Sequence, residues 1–302
     1  MRDLCPGLGP ERPEPVDPGR LLRLGTSSFS NKDWVGPFYP AGAQPKDFLK
    51  LYAARFDAVE IDATYYGVPV PRTVEGWARK TPEWFTICAK FPREIVHGGD
   101  GPKPHADRVL DKELTYPVRD EFLGAMRLLG PRLGPLLIQF PRFGKGTLDR
   151  EDFGARVNRF LDDLPKDFTY ALEIRNARWL TPEFAAMLRS HRVALVLSDL
   201  VRMPMGDEVE ALLDPVTAPY SYVRLLGDHR EMDRITTTWN REVVDRTPNL
   251  RRWADVLSRL LAREVPTFVF ANNHYAGYAP GTLARLRALV ADVLEDRPRP
   301  EI

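Results

Sequence analysis

Cysteine is almost missing from this chain: Cys5 and Cys88 are the only two in 302 residues. A pair so distant makes no disulfide framework and no metal-ligand spacing, which points to a reducing cytoplasm. Long apolar runs are missing as well. No stretch suffices to span a bilayer, and no basic start followed by an apolar segment reads as a secretion signal, so no membrane partner is expected. Net charge is also small, because 43 Lys and Arg against 42 Asp and Glu leave +1. Bulk charge therefore gives nonspecific nucleic-acid binding no support, although a local basic patch is compatible with it. No internal repeat occurs, and no glycine-rich phosphate turn follows any apolar segment, which disfavours a doubly wound open sheet.

What is there begins after a Pro-, Gly- and charge-rich extension over residues 1–20. From that point apolar strand-like segments alternate with amphipathic helical ones. The strands are expected at Leu22–Thr26, Ala58–Asp62, Phe85–Lys90, Leu136–Phe140, Tyr170–Arg175, Val193–Asp199, Tyr220–Leu226 and Thr267–Asn272. Between them, helices are expected at Lys46–Phe56, Thr73–Lys80, Val118–Leu129, Glu151–Leu164, Pro182–Ser190, Glu208–Leu213, Leu250–Arg263 and Thr282–Val293. Thr181 is a plausible cap for the helix that starts at Pro182. Eight strands, each followed by a helix, predict an α/β fold: a single closed (β/α)8 barrel, the TIM barrel, with long βα loops, from about residue 21 to 296, with a tail over 297–302.

In such barrels the chemistry sits at the C-terminal strand ends and in the loops that leave them. Here those ends carry Glu60 and Asp62, Lys90, Gln139, Glu173 and Arg175, Asp199, Arg224, and Asn272 with Asn273. An inert barrel core would hold branched apolar side chains instead. The competing explanation is an ion-pair network that merely seals one end of the barrel. Glu173 and Arg175 alternate with Leu172 and Ile174, so the two charges share one face of their strand. Among the histidines, His97 is the best candidate, on a loop able to fold over the mouth; His105 reads as a solvated loop residue. Aromatic residues such as Tyr65 and Trp179 also fall in exit loops, where they either meet a flat polar ligand or anchor the loops.

Several runs carry a resemblance: GTSSFSNKDWVGPFYP, AVEIDATYYGVP, WARKTPEWFTICAKFPREIVH, LLIQFP, ALEIRNARW, VRLLG and FVFANNHYAGYA. In this order, from about residue 22 to 290, they resemble the YecE-like family, the domain of unknown function 72. The resemblance implies a TIM barrel and implies no established activity. Family-typical polar positions match Glu60, Lys90, His97, Gln139, Glu173, Arg175, Trp179, Asp199, Arg224 and Asn272. Departures stand at Asp62, where relatives often have Asn, at Arg142, where they often have Pro, and at Leu226, where many have His. A mechanism that needs that last His would require His229 in its place.

The leading expectation is an enzyme, a hydrolase or lyase, acting on a small polar or anionic substrate. Glu60 and Glu173 would form an acid/base pair, with Lys90, His97 and Asp199 completing the catalytic set. Lys90 is expected as a counter-charge to Glu60 rather than a Schiff-base nucleophile. Arg175 and Arg224 suit a phosphate or carboxylate, with Tyr65, Gln139, Trp179, Asn272 and Asn273 as further binding residues. A glycosidase is disfavoured because Gln139 and Arg224 stand on the fourth and seventh strands, where common barrel glycosidases place their carboxylates. Two other readings stand beside the first. One is a nucleic-acid-binding or metal-dependent phosphodiesterase resembling endonuclease IV barrels, with Glu60, Glu173, Asp199, His97 and His274 supplying some ligands. The other is a non-catalytic ligand-binding barrel. No metal ligand set, cofactor or oligomeric state can be assigned from the sequence.

Overall fold

The computed structural model describes residues 21–99, 101 and 103–295; the expected extension over 1–20 and the tail over 297–302 lie outside them. Eight parallel strands close into a barrel in simple sequential order. They are β1 (Leu22–Thr26), β2 (Ala58–Ile61), β3 (Thr86–Lys90), β4 (Leu133–Gln139), β5 (Tyr170–Glu173), β6 (Ala194–Leu200), β7 (Ser221–Gly227) and β8 (Thr267–Ala271). The TIM-barrel expectation therefore holds. Closure depends on β1 pairing with both β2 and β8. At the β1–β2 seam only glycine fits position 25, because a Cβ there would sit 2.1 Å from the Ala58 carbonyl oxygen.

The helices between strands are α1 (Phe48–Ala53), α2 (Pro71–Lys80), α3 (Arg93–His97), α4 (Lys112–Arg127), α5 (Arg150–Asp162), α6 (Pro182–Ser190), α7 (Gly206–Leu212), α8 (His229–Ile235), α9 (Thr247–Ala262) and α10 (Ala279–Glu295). Local chemistry explains their starts. Asp149 caps α5 by accepting from the Asp152 amide, and Thr181 caps α6 by accepting from the Phe184 amide. In α9, Leu250, Trp253, Ala254, Leu257 and Leu260 recur at helical spacing and are all buried against the barrel.

Two of these helices, α3 and α8, are short turns of helix within segments read from the sequence as exit loops. Five to seven residues give too little periodicity to register. Helix α4 starts six residues earlier than expected and carries Pro117 inside it, because Asp111 caps it by accepting from the Leu114 amide. Two cores result. One lies between barrel and helices; the other fills the barrel axis with Ala58, Cys88, Leu137, Ala171, Val196, Tyr222 and Phe270. The axial set consists of residues two before a polar one on several strands, so the polar residues form the next layer toward the mouth.

Candidate functional site

Arg224 is the centre of that layer. From β7 it donates Nε and Nη2 to the two carboxylate oxygens of Glu60, at 3.0 and 2.7 Å. Its Nη1 donates to Glu173 Oε2 at 2.5 Å and to Gln139 Oε1 at 3.1 Å. Tyr222, two residues back on the same face of β7, donates its hydroxyl to Glu60 Oε2 at 2.7 Å. Glu60, Glu173 and Arg224 are at most 1 % exposed. A guanidinium this deep is tolerable because its fork is filled by carboxylates and an amide oxygen. These residues make a closed polar floor across the barrel.

Above the floor a second tier opens toward solvent. Asp62 and Lys90 meet at 2.7 Å, and the Asp62 side chain remains 37 % exposed although its Oδ1 is covered. Among the described residues, Arg175 donates only Nε, to Glu173 Oε1 at 2.7 Å, and its side chain is 28 % exposed. Thr64 fixes the strand end from which Lys90 projects, exchanging hydrogen bonds with both its backbone N–H and C=O. His97 Nε2 lies 2.6 Å from the Tyr65 hydroxyl, while its buried Nδ1 has no partner.

The two tiers differ in proton affinity. Burial alone would raise Glu173, but the Arg224 and Arg175 guanidinium groups outweigh it and hold the carboxyl at about 2. Glu60 is likewise lowered: burial is overcome by Arg224 and Lys90 together with its hydrogen bonds. Asp62 moves the other way. Its pKa is raised because burial and the neighbouring Glu60 charge exceed the help it draws from Lys90 and Arg224. Burial, then Arg93 and Arg175, lower His97 to about 4, so its imidazole is neutral at physiological pH. The expected acid/base pairing of Glu60 with Glu173 is therefore not what the electrostatics favour. Both are locked as carboxylates, and the mouth carboxyl whose proton affinity is raised is Asp62.

Other sequence candidates lie elsewhere. Asp199 does not join the mouth. It faces outward from β6, where its Oδ2 accepts from the Trp253 indole N–H at 3.0 Å, the Tyr275 hydroxyl at 2.8 Å and the Asn249 amide at 3.2 Å. Strand parity explains this, since Ser198, not Asp199, pairs in register with Arg224. Trp179 is buried against Phe143 and Phe153, with ring centroids 5.6 and 4.6 Å away, so it anchors its loop rather than meeting a ligand. Asn273 lines the cleft beside the mouth, and its Oδ1 accepts from the Ala279 amide at the start of α10.

Asn272 opens onto a cleft of about 380 Å³ beside the mouth, where β1, β2, β7 and β8 end. Asp62 lines the same cleft, as do Ser27, Trp34, His229, Trp239 and His274. The His229 and His274 rings stack at 3.9 Å, and Trp239 packs 4.7 Å from His274. His229 thus reaches the site from α8, three residues past Leu226. Sequence reasoning missed Tyr222 and Ser27, and weighed Trp34 only as one of several exit-loop aromatics. Tyr222 was detectable from its two-residue spacing to Arg224, whereas nothing about a loop serine distinguishes it.

Among the described residues, no three His, Cys, Asp or Glu side chains converge as a metal would need. The residues expected to supply such ligands are dispersed: Asp199 is turned outward, and Glu60 and Glu173 are saturated by Arg224. Nor is any helix among the described residues long and apolar enough to cross a membrane.

Comparison with known proteins agrees with this architecture. The UPF0759 protein YecE of Escherichia coli is 33 % identical over 160 residues, which cover 53 % of this chain and 50 % of that protein. The chain thus spans about half the length of the curated relatives it matches. A crystal structure of a DUF72 family protein from Thermotoga maritima superposes with a TM-score of 0.60 at 27 % identity, covering 92 % of this chain and all of that one. An AP endonuclease, family 2, from Brucella melitensis gives a TM-score of 0.54 over 88 % of this chain and 98 % of its own; at 16 % identity that likeness is one of fold alone. The family model described as "Protein of unknown function DUF72" matches residues 23–301. Bearing out the motif resemblance, the match shows that this chain belongs to the DUF72 family.

Proposed function

We propose that the chain is a cytoplasmic enzyme, a hydrolase or lyase, that acts on a small polar or anionic substrate at the C-terminal mouth of the barrel. The observation that carries this reading is the two-tier mouth: a saturated ionic floor beneath a half-open tier of Asp62, Lys90 and Arg175, of which Asp62 also lines the adjoining cleft. A network built only to seal the barrel would end at the floor.

In this reading Arg175, tied to Glu173 through Nε alone, presents the rest of its guanidinium to a substrate anion. Asp62 exchanges the proton, because its raised pKa brings it nearer the working pH than Glu60 or Glu173. Lys90 stabilises the ionised form of Asp62 after proton loss. Glu60, Glu173 and Gln139 hold Arg224, and through it the floor, in place. His97, neutral and bonded to Tyr65, closes the side of the mouth.

The test is metabolite profiling of a cell extract incubated with the purified protein and two variants. Wild type should deplete at least one small polar metabolite. Asp62→Asn should lower kcat on that compound by about a hundredfold or more, the lower range of acid–base contributions. Arg175→Leu should act mainly on KM. Full turnover by Asp62→Asn, or an extract left unchanged by the wild type, refutes the proposal.

A further inference from the structure

The cleft beside the mouth holds polar groups that the fold itself leaves unused. Ser27 is 2 % exposed and Trp34 1 % exposed, yet the Ser27 hydroxyl and the Trp34 indole N–H have no hydrogen-bond partner. The covered Oδ1 of Asn272 has none either. All three residues line one cavity. Buried polar groups are ordinarily paired, since an unmade bond carries the full cost of desolvation. Three orphans around a single cleft therefore ask for a common partner.

Their chemistry restricts what that partner is. The Trp34 indole is a donor only, the Asn272 carbonyl and the Asp62 carboxylate are acceptors, and the Ser27 hydroxyl is both. The Asn272 amide is turned this way because its Nδ2 donates to His229 Nε2 at 3.3 Å, which a neutral imidazole accepts. A carboxylate or a fully ionised phosphate, which only accepts, would leave Asn272 Oδ1 unpaired and would face Asp62 whenever that carboxyl is ionised. An ammonium group, which only donates, would leave the Trp34 and Ser27 donors unpaired. Hydroxyl groups donate and accept at once, and so satisfy the whole set. Alongside the polar groups, the stacked His229 and His274 rings with Trp239 add flat surface of the kind that meets the C–H face of a saturated ring. The volume, about 380 Å³, lies at the small end of the usual range for ligand pockets, about 300–1,000 Å³.

We infer that this cleft is the subsite for an uncharged polyhydroxylated moiety, a monosaccharide or polyol, bound through Ser27, Trp34, Asn272 and Asp62. The inference rests on the reading of the mouth as a substrate site, and it assigns the substrate class: a hydroxylated carbon chain seated in the cleft, with any anionic end directed to Arg175.

The experiment titrates wild type, Ser27→Ala and Trp34→Phe separately with two kinds of probe. One is a panel of neutral pentoses, hexoses and pentitols; the other is inorganic phosphate. Saturation-transfer NMR and tryptophan fluorescence report binding, and near-UV circular dichroism confirms the fold of each variant. At least one neutral probe should bind the wild type, and each variant should weaken it by about tenfold, the worth of one desolvated hydrogen bond. Phosphate affinity should stay within about twofold. A wild type that binds phosphate and no neutral probe overturns the inference while leaving the proposed function standing. A wild type that binds a neutral probe and no phosphate supports the inference and removes the anion from the proposed function. Polyol affinity unchanged in Ser27→Ala, the milder variant, also overturns it, as does loss of both ligands together.

Discussion

Replacing Arg224 by leucine would take away the cation shared by Glu60 and Glu173 while leaving both carboxylates buried. Holding Glu173 at about 2 instead of 4.5 corresponds to about 3 kcal/mol of stability at neutral pH. Removing one partner of a buried pair costs about 3–5 kcal/mol, and here two pairs lose the same partner. The loss is bounded because a stranded carboxylate takes up a proton rather than remain charged. We therefore expect Arg224→Leu to lose about 5 kcal/mol at pH 7, a large share of a typical domain stability of about 5–15 kcal/mol.

Its pH dependence should also reverse sign. In the wild type, Glu173 has a lowered folded pKa, so its contribution is complete above 4.5 and disappears as pH falls toward 2. In the variant, burial without Arg224 raises both carboxyls, so their contribution is greatest below the unfolded value and is lost as pH rises through the raised one. Urea unfolding followed by tryptophan fluorescence should show Arg224→Leu more stable at pH 5 than at pH 7 relative to wild type. Adding Glu60→Gln and Glu173→Gln should restore part of the loss at pH 7. A destabilisation below about 1 kcal/mol, or a pH slope parallel to wild type, would refute the account of the floor.

Two further outcomes follow from groups outside the floor. His97 should titrate near 4 by NMR and show no protonation between pH 6 and 8; with its folded pKa depressed, the stability it confers is present above 6.5 and is lost as pH falls toward 4. A midpoint near 6.5 would contradict its burial beside Arg93 and Arg175. Asp199→Ala should cost about 2 kcal/mol in urea unfolding by stranding the Trp253 and Tyr275 donors, yet leave the Glu173 carbon chemical shift in the mouth unmoved; a shift there would mean that Asp199 belongs to the mouth after all.

The barrel was legible because its signal is global: eight apolar segments, nearly all with a polar residue at or near the C-terminal end, survive errors of several residues at any boundary. The floor was legible in part. Glu60, Gln139, Glu173 and Arg224 could be listed from strand ends, but their saturation by one another depends on distances that no spacing along the chain encodes. Asp199 illustrates the limit. A one-residue difference in strand parity turns a side chain from the axis to the helix layer, and a boundary read from composition does not resolve one residue. Asp62 was visible as a strand-end carboxylate, but its raised proton affinity arises from burial and then from a neighbour, Glu60, whose own charge is fixed by Arg224.

The cross-barrel clasp has a consequence for how the molecule comes into being. Arg224 and Glu60 lie 164 positions apart, and the clasp joins β2 and β4 to β5 and β7. A chain severed between β4 and β5 would leave Glu60 and Gln139 on one fragment and Glu173 with Arg224 on the other. Neither four-stranded half would then carry a complete set of partners, so a duplicated or excised half is not a self-sufficient folding unit. On the ribosome, the carboxylates of β2 and β5 emerge well before the guanidinium that neutralises them. Ring closure by β7 and β8 is accordingly expected to be a late step, as is usual for contacts of such separation.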